Sequence, residues 1–321
     1  MINFRFHIVS LVAVFLALGL GVVMGATVID EAIVDGLNAR IDRVENEADA
    51  QRTQNSELQD EVERLERFVG EEFAVAGLFE DVPVPVIAPR GVDGDTARST
   101  VALLQVAGAN APGVLWLEDK WQLGDAEARR ELADILEVPR DGADALRDEA
   151  WDQISERIAA GGEAPPPDPA ADPSPDVLDA LIEAEFVSFQ TVGDQADDFG
   201  VAGFPPIGSA PRVLLIDQSD ASDEAGVLVE SAMRSLVDAG LPQVLGEVYR
   251  EEEDGPNRGI RLAVVRDDDE LSDVVATVDD LDLTEGKVAA TWALADLANG
   301  TVDHYGYGDT ATAPLPASFP R

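Results

Sequence analysis

The chain contains no cysteine, which excludes disulfides, zinc–thiolate sites and thiol nucleophiles. Lysine is nearly absent, with Lys120 and Lys287 alone, and the histidines are His7 and His304. Against 22 basic residues stand 64 acidic ones, a net charge of −42. A surface this negative repels phosphate backbones, so no nucleic-acid partner is expected. Its self-repulsion is tolerable where salt shortens the screening length, to about 3 Å at 1 M.

Nucleotide and calcium motifs are missing as well. The turn Gly91-Val92-Asp93-Gly94 follows an apolar strand, where a phosphate loop would sit, yet there is no G-x-G-x-x-G and no G-K-[ST]. Asp93 and Asp95 would repel phosphate, so a plain strand-to-helix turn is expected. The acid runs Glu251 to Asp254 and Asp267 to Glu270 lack EF-hand spacing and read as solvated loops. His304, beside Asp303 and Tyr305, has no second histidine near it in sequence. No nucleophile, base and orienter can be grouped, so the chain is not read as an enzyme, and no catalytic, cofactor-binding or metal-ligating residue is assigned.

What the chain does have begins with an apolar run. Ile8 to Ile29 carries no charge, and Asp30 and Glu31 follow at once. These 22 residues would span roughly 33 Å as a helix, enough for a bilayer's hydrocarbon core. A cleaved signal would have a shorter apolar region and a small-x-small site, which Val23-Met24-Gly25-Ala26 matches poorly. Residues 1–29 therefore read as an uncleaved, single-pass anchor in membrane lipid. Arg5, with His7, favours a cytoplasmic amino terminus, with the bulk of the chain outside the cytoplasm.

Residues 30–70 read as a coiled-coil stalk. A heptad runs unbroken from Val34 to Val69. Val34, Ile41, Ala48, Asn55, Val62 and Val69 fall at a, and Leu37, Val44, Gln51, Leu58 and Leu65 at d. β-Branched residues at a with Leu at d favour a parallel two-stranded coil, and a buried Asn at a fixes register and partner number. In such a homodimer Arg40 would face Glu45 and Glu47 would face Arg52, whereas Glu61 would face Glu66 unfavourably. These exposed pairs set orientation more than stability.

Beyond residue 70 short apolar runs alternate with amphipathic segments. Strands are expected at Val84–Ala88, Val114–Leu117, Arg212–Asp217, Gln243–Tyr249 and Ile260–Val265. Helices are expected at Thr96–Ala107, Ala126–Leu136, Asp223–Ala239 and Glu285–Ala298. This alternation argues for an α/β fold with a Rossmann-like, largely parallel sheet. Residues 71–162 and 177–321 read as two α/β halves, joined by the proline-rich linker 163–176. The halves share the order strand, acidic loop, helix, Ala-Gly, turn, strand (LLQVAGANAPGVL against SLVDAGLPQVL), which fits either related half-domains or the common βαβ grammar.

Two stretches carry a family resemblance. One is Phe6-His7-Ile8-Val9-Ser10 through Leu18, closing at Gly21-Val22-Val23-Met24-Gly25. The other is Val275-Ala276-Thr277-Val278-Asp279-Asp280, then Gly286-Lys287-Val288 and Ala293-Leu294-Ala295, ending at His304-Tyr305-Gly306. With the coil between them, they resemble the actinobacterial MctB family of copper-transport envelope proteins. The resemblance implies a role in copper export or homeostasis, a place in the cell envelope, and an envelope protein as partner. The only hint of copper comes from it: the globular part offers Met233 as its one soft donor, a poor supply for a dedicated copper site. A β-barrel pore is not expected from a charged, alternating α/β sequence. The alternative reading is a dimeric scaffold presenting an α/β domain to envelope or division machinery.

Overall fold

A computed structural model describes residues 6–25, 75–139, 142–161, 176–193, 208, 210–250 and 257–319. The coiled-coil seam positions Val34, Leu37, Ile41, Val44, Ala48, Gln51, Asn55, Leu58, Val62, Leu65 and Val69 lie outside these residues, as does the linker up to residue 175. The chain divides into two units, Met1–Glu66 and Arg67–Arg321.

In the first unit, helix α1 (Phe6–Gly25) is the one described helix long and apolar enough to cross a membrane. Leu11, Phe15, Leu18 and Val22 are all more than half exposed along it. Twenty residues make about 30 Å of helix, the thickness of a hydrocarbon core.

The second unit is a mixed α/β domain. Its elements, in order, are β1 (Val86–Pro89), α2 (Gly94–Val106), β2 (Gly113–Leu117), α3 (Ala126–Ile135), α4 (Ala143–Ala159), α5 (Val177–Glu183), β3 (Val187–Thr191), β4 (Val213–Gln218), α6 (Asp223–Asp238), β5 (Gln243–Val248), α7 (Ala263–Arg266), α8 (Asp269–Ser272), β6 (Val275–Val278), α9 (Thr284–Asp296) and β7 (His304–Tyr305). The strands form one sheet in the order β3-β2-β1-β4-β5-β6-β7, parallel throughout except for β3, which pairs antiparallel with β2. Strands from both sides of the proline-rich segment enter this sheet.

Each central strand is buried on both faces, as a parallel sheet requires. Ile87, Leu115, Leu215 and Leu245 point into a core shared with α3, α4, α5 and α6. Their neighbours Val86, Val114, Leu214 and Val244 point into the other, shared with α2 and α9. Helix starts are set by acids and hydroxyls. Asp93 caps α2, Asp125 caps α3, Asp176 caps α5 and Ser222 caps α6, each satisfying amide donors that a helix end leaves free.

The expected strand Ile260–Val265 is not a strand. Ile260–Leu262 is a 3-10 turn leading into α7. The reason is periodicity: Leu262 and Val265, three apart, are buried while Ile260 is half exposed, a helical rather than an alternating pattern. The short strands β3, β6 and β7 and the helices α4 and α5 join the elements expected. The acid run 267–270 is a helix start, with Asp268 accepting from the Glu270 and Leu271 amides at 2.9 and 3.1 Å. The run Glu251 to Asp254 lies outside the described residues.

Candidate functional site

The ends of β4, β5 and β6 carry a row of buried carboxyls. Asp217 and Glu247 are register partners on β4 and β5. Leu245 pairs with Thr277 on β6, so Asp279, two residues further on, continues the row. Alternation sends the three side chains to one face of adjacent strands, which lie roughly 4.8 Å apart. All three are buried, as is Asp280.

Two neighbouring segments are fastened to this row. Glu247 accepts the Gly259 amide at 2.6 Å and the Arg261 amide at 2.8 Å, so its two oxygens hold the turn that opens α7. Asp279 accepts the Tyr307 and Gly308 amides at 2.8 and 3.1 Å and the Arg266 guanidinium at 2.8 Å. Arg266 spends its other donors on Thr277 Oγ1 and the Tyr305 carbonyl, at 2.8 and 2.9 Å. The loop after β7 can wrap the Asp279 carboxylate this closely because Gly306 has φ +130 and no side chain; a Cβ there would lie 2.0 Å from Asp279. Arg258 grips Asp282 with two nitrogens at 2.8 and 3.1 Å.

Burial dominates the electrostatics. It pushes the Glu247 carboxyl up to about 7, with Asp279 and Asp217 adding to the rise against the two amide bonds. Burial also raises Asp217 to about 6, opposed by the Gln218 amide and Arg261. Asp280 rises to about 7, chiefly through burial and then Asp279 beside it. Neither Asp280 oxygen has a hydrogen-bond partner among the described residues. Such a group is far cheaper neutral than ionised. The row can therefore hold and release protons near neutral pH. Among the described residues no three His, Cys, Asp or Glu side chains are placed to share a metal ion; Glu247 and Asp279 are turned instead onto amides and guanidinium.

A crevice lies at the ends of β1 and β4, where the strand order changes direction, the usual place for ligands in an α/β sheet. The crevice measures about 330 Å³ and is lined by Arg90, Glu118, Gln218, Asp220 and Ser222 over Leu117 and Leu228. Most of its polar groups are spent on one another. Arg90 Nε donates to both Glu118 oxygens at 2.9 Å and Nη2 to Ser188 at 2.8 Å. Gln218 accepts the Asp93 amide at 2.8 Å and donates to Asp220. The amino end of α2 nearby is filled by its own Asp93, which accepts the Thr96 amide at 2.8 Å and the Arg250 guanidinium at 2.9 Å. The Gly91–Gly94 turn is thus self-capped.

His304 lies at the edge of the carboxyl row, its Nδ1 3.0 Å from Thr277 Oγ1. Burial and Arg266 lower its pKa, against Asp303. Asp303 bonds its neighbour's amide and Thr312 Oγ1, at 2.8 and 2.6 Å. Met233 is fully buried in the core. Sequence reasoning missed Asp217, Glu247, Arg258, Arg261 and Arg266. One signal was available: an acid inside or at the end of an apolar strand, as in RVLLID and QVLGEV, has no solvent face to occupy. Several of the carboxy-terminal residues quoted for the family resemblance gather here. Asp279 and Asp280 meet Gly286, where a Cβ would lie 2.6 Å from Asp280 Oδ1, and Gly306, on the loop leaving His304-Tyr305.

The sequence profile of the MctB family, described as a copper transport outer membrane protein, matches residues 1–316. Proteins named copper transporter MctB, from Mycobacterium bovis and from two strains of Mycobacterium tuberculosis, are 28% identical over 322 aligned positions, covering 97% of this chain and 98% of theirs.

Proposed function

Since the chain belongs to the MctB family, we propose that it contributes to copper export or homeostasis as an envelope protein anchored by α1, with copper as cargo. The observation that carries this reading is the family match along nearly the whole chain, including the apolar helix. The family is one of transport proteins and not an enzyme class. The finer topology proposed is a single pass, with the amino terminus in the cytoplasm on the evidence of Arg5 and the α/β domain on the other side. The heptad from Val34 to Val69 supports a parallel homodimer.

The domain itself is not proposed as a pore. Its described strands make an open sheet with a hydrophobic core on each face, whereas a membrane barrel is closed and turns an apolar belt to lipid. Among the described residues outside α1 the large apolar side chains left exposed are Val106, Val227, Ile260, Val274 and Tyr307, too few for a belt. The order β3-β2-β1-β4-β5-β6 supports the Rossmann-like reading, with antiparallel β3 as the departure. Copper would then be handled through an envelope partner or by weak oxygen ligands.

The test is a deletion strain challenged with copper. Heightened sensitivity, restored by the intact gene, is the expected outcome; growth equal to the parent at every copper concentration would overturn the reading. Calorimetric titration of the purified protein with copper separates the routes: direct handling needs stoichiometric binding tighter than micromolar, and action through a partner predicts none.

A further inference from the structure

A cleft of about 230 Å³ opens between α6 and the turn into α7, over the ends of β4 and β5. Val227, Leu245 and Ile260 give it apolar walls. Val227 and Ile260 stand at its side with 50% and 48% of their surface in water. Asp217, 3% exposed, lines it from the end of β4. Its Oδ1 accepts the Gln218 amide at 2.8 Å, whereas Oδ2 receives no hydrogen bond from a described residue.

Neighbouring charges do not answer that oxygen. Glu247, the register partner of Asp217, is of like sign and commits both oxygens to the Gly259 and Arg261 amides. Arg261 acts on Asp217 through space, while its Nε lies 3.2 Å from the Gln218 carbonyl and its Nη2 3.5 Å from that of Ser222. Gly226 lets this guanidinium lie against α6, since a Cβ there would come within 2.8 Å of Nη1. Glu230, also lining the cleft, is paired with Arg234 at 2.9 Å. The cleft therefore joins apolar walls to a buried carboxyl oxygen that no described donor satisfies.

We propose that this cleft binds a small organic amine, its ammonium donating to Asp217 Oδ2 and its short aliphatic body lying between Val227, Leu245 and Ile260. Other occupants fit worse. A hard metal ion takes about six or more oxygen ligands, and among the described residues no three His, Cys, Asp or Glu are placed to share one. An anion would meet Asp217 and Glu230, with Arg261 already turned to carbonyls. A neutral apolar molecule would displace water from Oδ2 and leave a buried acceptor unmade. An alkylammonium supplies the missing donor and covers the walls at once. Burial raises the Asp217 carboxyl to about 6, still below neutral pH, so the amine meets an anion whose burial it makes cheaper.

The experiment is methyl NMR of the full chain in detergent, carrying labelled valine and isoleucine, titrated with isopentylammonium chloride at neutral pH and constant ionic strength. Saturable shifts of the Val227 and Ile260 methyls are expected. Isopentanol, the same shape without the charge, should bind about tenfold more weakly or worse, and Asp217→Asn should weaken the amine by a similar factor. Val227→Trp changes an exposed wall and should block the cleft, abolishing the Ile260 shift; it decides the matter if Asp217→Asn fails to fold. Equal binding of isopentanol, the same shifts with sodium chloride alone, or amine binding unchanged in either variant would overturn the proposal. So would tighter binding of a lysine blocked at both backbone ends, which would give the site to a partner's side chain instead of a free amine.

Discussion

Two sites on one edge of the same sheet are built from the same residue types and behave differently. At the ends of β1 and β4, Arg90 and Glu118 are paired in partly exposed positions, with 43% and 26% of their side chains accessible. At the ends of β4 to β6, Arg266 and Asp279 are paired with 2% and 0% accessible. The first is a crevice whose charges water can also serve. The second holds Glu247, Asp279 and Asp280 with no solvent access, so a charge on any of them must be answered by protein. The identity of an ion pair therefore says little about its consequence; its solvent access decides.

The sharpest way to break that comparison is to cut the buried pair. Arg266→Met should destabilise the domain by roughly 3–5 kcal/mol in urea or thermal unfolding, the usual cost of stranding a buried partner. A loss below about 1 kcal/mol would mean that the buried pair matters no more than an exposed one.

An intermediate effect is expected at Asp93, which joins the two regions through Arg250 on one side and Gln218 on the other. Asp93→Ala should cost about 1 kcal/mol, the worth of a helix cap. Its pH dependence should oppose that of the carboxyl row. The Thr96 amide, with Arg250 assisting, holds the Asp93 carboxyl below its usual range against a partial desolvation. Its contribution is present above the unfolded value near 4 and is lost as pH falls through the lower folded one. Once the pH lies below that lower folded value, wild type and variant should therefore converge.

The same contrast explains what the sequence made legible. The α/β pattern, the apolar helix α1 and most strand positions were readable because runs such as VPVIA, VLWL and RVLLID are too apolar for any place but a covered sheet. The segment Ile260–Val265 misled because six residues with three β-branched side chains satisfy strand propensity, while the spacing of Leu262 and Val265 favours a turn of helix. The carboxyl row was illegible for a different reason. Among 64 acids, the apolar run QVLGEV marks Glu247 as an acid without a solvent face, but only the register of β4, β5 and β6 places Asp217, Glu247 and Asp279 together. The Asp279-Asp280 pair stands out in the sequence as part of a family motif, but the physical role that burial gives it is not visible there.

The smallest effect should come from the matching substitution in the open crevice. Arg90→Met removes a guanidinium that contacts Glu118 and Ser188 and lies 5.0 Å from the centre of the Trp116 ring. Chemically it is the same change as Arg266→Met. Glu118, 26% accessible, can turn to water, and Met keeps most of the apolar contact with Trp116, so the loss should stay below about 1 kcal/mol. It should also fade in 1 M salt, where exposed pairs are screened within about 3 Å, whereas the Arg266→Met loss should not. If the two variants proved equally damaging, or equally salt-sensitive, the carboxyl row would have to be reached by solvent as freely as the crevice. Its carboxyls would then have no reason to hold protons at neutral pH.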